Sequence, residues 1–466
     1  MFRYRTIALT VLLLAGTSLT RAQQFQHYLT YKTGGMPGGV AVGDFNGDSK
    51  ADVVTANYDF GTSSTISVLL GHGDGSFRPY VDYQTGIGPY SIAVGDFSGD
   101  HKPDLAVANP TSDTVSVLLG NGDGTFQTHV DYATGAFPQM VATGDFNADR
   151  NPDLVVADRD SNSVGVLLGN GDGTFGAHVE YSTGNTPTSV AVCDVNGDSR
   201  LDLVTSDFSG NTVSVLLGNG DGIFKKHGEF TVGIGPISVA IGDFNRDGKA
   251  DIAVVNDAES TASVLLGKGD GTFRAHVDYA TGSFPASVVV ADLRRVGVLD
   301  MITANFGDGT NTISVLSGSG DGTFQRHTDY ATGEGPISIA VGDFNGGDGA
   351  LDIATADFYG LSVSVLLNTG GTLIKTTSSN NPSQFRRPVT FTTAVTASLP
   401  GVGMPTGSVT FKDGAITLGS GTLVNGQATF TTSRLNVGTH IIRTRYEGDG
   451  VFNAHNAPPI MQKVIP

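Results

Sequence analysis

The chain has 466 residues and a formal net charge of −18, and an acidic surface of that size disfavours nucleic acid and anionic membranes as partners. Glycine is abundant at 65 residues without a collagen period, tryptophan is absent, and the one cysteine, Cys193, excludes an internal disulfide framework. This composition points to an all-β protein with many tight turns, long enough for more than one domain.

Residues 1–22 read as a secretory signal. Arg3 and Arg5 form a positive start, Ile7 to Leu14 is an apolar run too short to span a bilayer, and Thr20-Arg21-Ala22 places small residues at −3 and −1 of a cleavage site. The segment carries three arginines and no acid, so its loss takes the charge from −18 to −21. The expectation is a secreted, cell-surface or periplasmic protein with no transmembrane segment.

From residue 23 to 370 the chain repeats itself. Gly-Asp-Phe-(Asn/Ser)-x-Asp recurs with its first aspartate at Asp44, Asp96, Asp145, Asp194 (here with Cys193 and Val195 in place of the Gly and Phe) and Asp243, and degenerate copies start at Asp292 and Asp343. A second signature follows, typified by Gly120-Asn121-Gly122-Asp123-Gly124-Thr125-Phe126. One unit reads as four short strands: Ser91 to Val94, Asp104 to Ala108, Thr114 to Leu119, and Phe126 to Tyr132. Four strands in about 49 residues, repeated seven times, predict a seven-bladed β-propeller, in which stacked blades bury faces that one small sheet cannot. Phe25 to Tyr31 matches the fourth strand of a blade and is expected to complete blade seven; the competing closure uses Thr372 to Thr377.

The acidic loop of the first repeat, Asp44 to Asp52, sets side-chain oxygens at loop positions 1, 3, 5 and 9 (Asp44, Asn46, Asp48, Asp52), with Gly47 at position 4 allowing a sharp bend. Three carboxylates in nine residues repel one another without a cation. An all-oxygen set suits calcium, whereas magnesium demands a stricter octahedron and zinc or copper would want His or Cys. Position 7 (Lys50, Lys102, Asn151, Arg200, Lys249) is expected to offer only its backbone carbonyl.

On these loops the chain resembles the FG-GAP/VCBS repeat family, the propeller of integrin α-subunit heads and many bacterial surface proteins. The resemblance implies calcium held by Asp44, Asn46, Asp48 and Asp52 in blade one, and by Asp96, Ser98, Asp100 and Asp104 in blade two. Blade three offers Asp145, Asn147, Asp149 and Asp153, blade four Asp194, Asn196, Asp198 and Asp202, and blade five Asp243, Asn245, Asp247 and Asp251. Blade six reads Asp292-Leu293-Arg294-Arg295-Val296; it has lost the oxygens at positions 3 and 5 and is expected to hold no calcium, with Arg294 or Arg295 neutralising Asp292 and Asp300. Blade seven is one residue longer, and Asp343, Asn345, Asp348 and Asp352 make a sixth candidate.

Other repeated features read as structural. Asp-Gly between two apolar strands is a hairpin turn. His129, His178, His227, His276 and His327 recur once per repeat and read as edge residues spread around the ring. Cys193 reads as a small buried hydrophobe.

Residues 371–466 lose the acidic loops and gain threonine and serine. Alternating runs at Val389 to Val395, Gly407 to Phe411, Gln427 to Phe430 and His440 to Tyr446 predict an immunoglobulin-like β-sandwich. Pro405-Thr406-Gly407-Ser408-Val409-Thr410-Phe411-Lys412-Asp413-Gly414 and Tyr446-Glu447-Gly448-Asp449 resemble the bacterial Ig-like modules of surface proteins, which implies a spacer or stalk.

No nucleophile elbow or His-Glu-x-x-His is present, so the chain reads as a non-enzyme. The favoured function is recognition of an extracellular protein or surface glycan by loops on a calcium-stiffened propeller, in an adhesion or scaffold role. A lectin-like propeller is the alternative, and a propeller enzyme acting on polysaccharide would need an off-repeat cluster of His, Arg and Tyr at one channel mouth.

Overall fold

The computed structural model describes residues 20–21, 24–25, 28–307, 309, 311–346, 349–369, 371–397, 403–449, 452 and 454–466. The chain divides into two compact units, His27–Asn368 and a second made of residues up to Gln26 together with Thr369–Pro466. Residues 1–19 of the expected signal, and Ala22, lie outside the described residues, while Thr20–Arg21 pair with Leu373 and Ile374 in the second unit. No described helix is long and apolar enough to cross a membrane.

The first unit is a propeller of seven four-stranded antiparallel sheets among its described residues. Blade one runs Pro37–Gly43, Asp52–Asn57, Thr65–Leu69 and Val81–Gln84, hydrogen-bonded in that order. The second strand of every blade is wholly buried. The reason is the period of two: alternate residues point to opposite faces, and each face meets a different neighbour. In blade one Val54 and Ala56 pack with Leu105, Val107 and Leu118 of blade two, while Val53 packs with Ala354 and Ala356 of blade seven.

The ring closes through the N-terminal strand. Leu29–Lys32 pairs with Ser362–Leu366 and completes the sheet of Pro336–Gly342 and Asp352–Asp357. The expected Phe25–Tyr31 strand is corrected at its start, because Phe25 is buried in the other unit and pairing begins at Leu29. Thr372–Ser378, the competing closure, is a strand of the second unit. The fourth strand of blade two also starts later than expected, at Val130 rather than Phe126, whereas that of blade four, Phe224–Thr231, starts at its motif phenylalanine. Phe126 bridges Gly120 to end the hairpin, and the chain leaves the ladder until Val130.

In the second unit, Thr372–Ser378, Val389–Ala397 and Gln427–Thr432 form one sheet, and Ser408–Asp413, Ile416–Thr422, Gly438–Tyr446 and Ile460–Ile465 form the other. Ile374, Phe391, Val409, Phe411, Ile442 and Tyr446 fill the core between them, as alternating inward residues do in a sandwich.

Candidate metal loops and the opposite face

The acidic loops share one backbone shape. Asp44 accepts hydrogen bonds from the amides of Asp48 (3.0 Å) and Ser49 (2.7 Å), Asn46 accepts from Asp48 (2.9 Å), and Asp48 accepts from Lys50 (3.1 Å). Asp96, Asp145, Asp194 and Asp243 repeat the position-1 pattern. These bonds hold two left-handed residues per loop. Position 4 (Gly47, Ala148, Arg246) and position 6 (Ser49, His101, Arg150, Ser199) both have positive φ. Each non-glycine there costs roughly 1 kcal/mol, so glycine is helpful at position 4 and dispensable at position 6.

The position-9 aspartate has a structural task that its sequence pattern did not disclose. Asp52 opens the second strand, is fully buried, and accepts the amides of Phe45 (2.9 Å) and Gly71 (2.7 Å), one on each carboxylate oxygen. Asp104, Asp153, Asp202, Asp251 and Asp352 make the same two-amide clamp. Burial pushes Asp52 up to about 6, with the negative charges of Asp48 and Asp44 adding to it against the lowering effect of the two amides. Asp153 is likewise pushed up to about 6.

Among the described residues no acidic loop gathers three carboxylate oxygens within 4.8 Å of one another. Positions 1 and 3 do converge: Asp44 and Asn46 accept the same amide. The donor set of each loop is all oxygen and strongly negative, which fits a hard divalent cation. Position 7 is not idle, because Lys50, Lys102 and Lys249 approach the position-5 carboxylates at 3.5, 2.9 and 3.7 Å. In blade seven Asp343 accepts the amides of Gly346 and Gly349, and Asp348 lies outside the described residues.

Blade six keeps the loop shape without the oxygens. Asp292 accepts the amides of Val296 and Gly297, as Asp44 does from Asp48 and Ser49. Arg294, at position 3, carries its guanidinium to the buried Asp300 at 2.7 Å and donates to the Gly318 carbonyl. The positive charge expected of this loop is thus supplied by Arg294 on Asp300.

The hairpin turns sit beside the acidic loops and lace neighbouring blades. The Gly124 amide donates to the Phe45 carbonyl (2.9 Å), and Gly75 does the same to Phe344 across the ring closure (2.8 Å). The phenylalanine of each motif has a partner: Phe45 and Tyr83 both meet Phe126 edge to face, and Phe344 and Tyr31 both meet Phe77. Blade seven lacks the turn motif, and the Asn368 side chain donates to the Leu293 carbonyl in its place.

A model of the FG-GAP-like repeat matches residues 44–107, 96–156, 145–205, 200–254 and 243–303, more than half of the chain. The chain belongs to the FG-GAP repeat family. A model of the bacterial Ig-like domain (group 3) matches residues 376–465. No curated protein sequence matches this FG-GAP chain. Among solved structures, BBS1N from its complex with ARL6DN is similar at 12% identity and a TM-score of 0.53, covering 75% of this chain and 98% of that one. The periplasmic gluconolactonase of Pseudomonas aeruginosa aligns at 14% identity with a TM-score of 0.47, covering 63% and 85%. The putative 6-phosphogluconolactonase of Bacteroides fragilis aligns at 13% and 0.49, covering 65% and 86%. At such identities the first likeness concerns fold alone.

The antiparallel order of each FG-GAP blade puts the acidic loops and hairpin turns on one face of the ring and the loops between second and third strands on the other. That other face is where the repeats differ. Blades six, seven and one carry Phe306, Phe358, Tyr359 and Phe60 there, and these rings form one connected cluster with centroids 5.2–6.0 Å apart. Phe60 is 65% exposed, Phe284 48% and Tyr359 46%. Phe284, Phe306 and Tyr359 line a cleft of about 330 Å³ together with Asp257, Asn311 and Glu334. Sequence reasoning passed over these residues because it followed what repeats; the signal was the aromatics that do not.

The first strands line a narrow central cavity of about 180 Å³, walled by Gly39, Val40, Ser91, Ser189, Ser238 and Ser338 among others. Its one titratable lining group is Tyr90, which burial pushes up to about 12. The histidines described in the repeats stand just before the outer strands: His129, His276 and His327 face Asp131, Asp278 and Asp329 two residues on. The His227 side chain lies outside the described residues, and His178 departs from this pattern. Cys193 is half-buried, with its thiol pushed up by burial.

Proposed function

We propose that this FG-GAP propeller is a calcium-binding recognition protein of adhesion or scaffold type, working outside the cell and without catalytic activity. The observation that carries the calcium reading is the exchange in blade six. In blades one to five, where Asn or Ser stands at position 3, no lysine or arginine among the described residues pairs with the buried position-9 aspartate; in blade six, where Arg294 stands there, a guanidinium is built into the chain beside Asp300. Calcium would be held by the side chains of positions 1, 3 and 5 in blades one to five, with the position-9 carboxylate at the base of the loop. Bound calcium supplies positive charge and stiffens the loop that each neighbouring hairpin turn rests on.

Recognition is assigned to the aromatic face around Phe60, Phe284, Phe306 and Tyr359, a connected apolar patch rimmed by polar groups, which is the character of a binding surface. Its cleft favours a second reading as well. Stacked rings beside Asp257, Asn311 and Glu334 suit a surface glycan, so a protein and a glycan partner are both kept. The cavity lining, with Tyr90 as its single titratable group, supports the non-enzymatic reading.

The test is a glycan array and a capture from native extracellular surroundings, each run with calcium-loaded protein, with chelated protein, and with F60A/Y359A. Binding that needs both calcium and the two rings supports the proposal. Binding that survives in F60A/Y359A sinks the assignment of this face.

A further inference from the structure

Blade three breaks a hydrogen-bond network that the other blades keep. In the third strand six blades carry a serine, Ser67, Ser116, Ser214, Ser263, Ser314 or Ser364, and blade three has Gly165. Elsewhere that hydroxyl ties the last residue of the second strand to the rest of the sheet. Asn109 donates to Ser116 (2.9 Å). Where the last residue is an aspartate, three hydroxyls surround it: Asp207 accepts from Thr205, Thr212 and Ser214, and Asp357 from Thr355, Ser362 and Ser364.

The corresponding aspartate of blade three, Asp158, is fully buried, and the three matching positions are Val156, Ser163 and Gly165. Two of the hydroxyls are gone and the third, Ser163 Oγ, makes no hydrogen bond. Asp158 Oδ1 has no partner either. A buried carboxylate in this condition is costly unless a positive charge compensates it.

The space left by Gly165 is filled by the imidazole of His178. A Cβ at Gly165 would lie 1.5 Å from His178 Nε2, so this placement is possible only with glycine there. His178 Nε2 stands 3.0 Å from Asp158 Oδ2. Glu180 pairs directly across from Gly165, and the ligand atoms of Asp158, His178 and Glu180 all lie within 4.8 Å of one another. Ligands bonded at about 2.0–2.2 Å to one tetrahedral zinc ion sit roughly 3.3–3.6 Å apart, so the His–Asp pair, at 3.0 Å, needs to open by only about half an ångström to take the ion.

We infer that Asp158, His178 and Glu180 form a binding site for one divalent transition-metal ion of the zinc type. One nitrogen and two carboxylates match the mixed donor set that zinc accepts and that calcium does not require. Solvent supplies a fourth ligand on the side of the exposed Glu180. The site lies outside the acidic loops and does not rest on their binding calcium.

The experiment is a zinc titration of untagged full-length protein in excess calcium, followed by calorimetry, with cobalt as a spectroscopic stand-in. The expected result is one zinc per chain, visible cobalt absorption from a site with an imidazole ligand, and zinc affinity at least tenfold weaker in H178Q and in E180Q. G165S restores the serine that six blades carry and should expel the imidazole. It should abolish zinc binding while melting temperature and calcium content stay at wild-type values. Wild-type protein that binds zinc no more tightly than G165S or H178Q overturns the proposal, and His178 is then only the hydrogen-bond partner of Asp158.

Discussion

In blade one the turn after the first strand carries Asp44, Asn46 and Asp48; in blade six the same turn carries Asp292, Arg294 and Val296. The amides received by the position-1 aspartate are the same in both, and so is the amide that the third strand's end gives to Asp52 or Asp300. Loop shape is therefore set by positions 1 and 9. Positions 3 and 5 set the oxygen count, and on the proposed reading they decide whether the charge of the position-9 aspartate is met by calcium or by Arg294.

The largest way to break this comparison is to remove calcium everywhere but leave Arg294 in place. Several sites each occupied well above their dissociation constants contribute a few kcal/mol apiece, so chelation is expected to lower the melting temperature by roughly 10 °C or more. Scanning calorimetry with and without EGTA measures it, and an unchanged transition would remove calcium from the account.

Removing blade six's own cation comes next. Arg294→Ala leaves Asp300 buried without its partner and is expected to cost about 3 kcal/mol, read by urea unfolding in excess calcium. The double change Arg294→Asn with Val296→Asp rebuilds the oxygen pattern of blade one. It should bind one more calcium per chain than wild type by elemental analysis and recover part of that stability. An unaltered calcium count would separate loop composition from occupancy.

A smaller effect concerns pH. Asp357 is pushed up to about 7 by burial, against the lowering effect of three hydroxyl donors. The folded state then keeps a proton that the unfolded chain releases, so stability falls as pH rises from about 4 to about 7 and levels off above. Asp357→Asn places there the residue that blades one, two, five and six carry. Its melting temperature should exceed wild type by roughly 2–4 °C at pH 8, the shift for about 1 kcal/mol in a domain of this size, with the difference shrinking toward pH 4. The smallest stability effect belongs to the exposed aromatics: F60A and Y359A should leave the melting temperature within about 2 °C of wild type while reducing partner binding.

Much of the molecule was legible in the chain alone. Repetition exposed the four-strand unit, the acidic loops and the closing strand, read as Phe25 to Tyr31 and found at Leu29–Lys32, because each blade needs the same contacts with its neighbour and so repeats the residues that make them. The changed oxygen set of the blade-six loop was legible too, since Arg294 cannot supply the oxygen that Asn46 offers. The two-amide clamp of Asp52 was hidden because a ligand and a clamp call for the same residue.

Only the tertiary structure joined what lies far apart in sequence. Ring closure sets Phe60 against Phe358, and one missing serine side chain at Gly165 lets His178 reach Asp158. A repeat encodes what every blade shares, through contacts between neighbours. What is singular in this protein arises where non-repeating residues from several strands meet, and their meeting is decided by the closure of the ring and the packing within it.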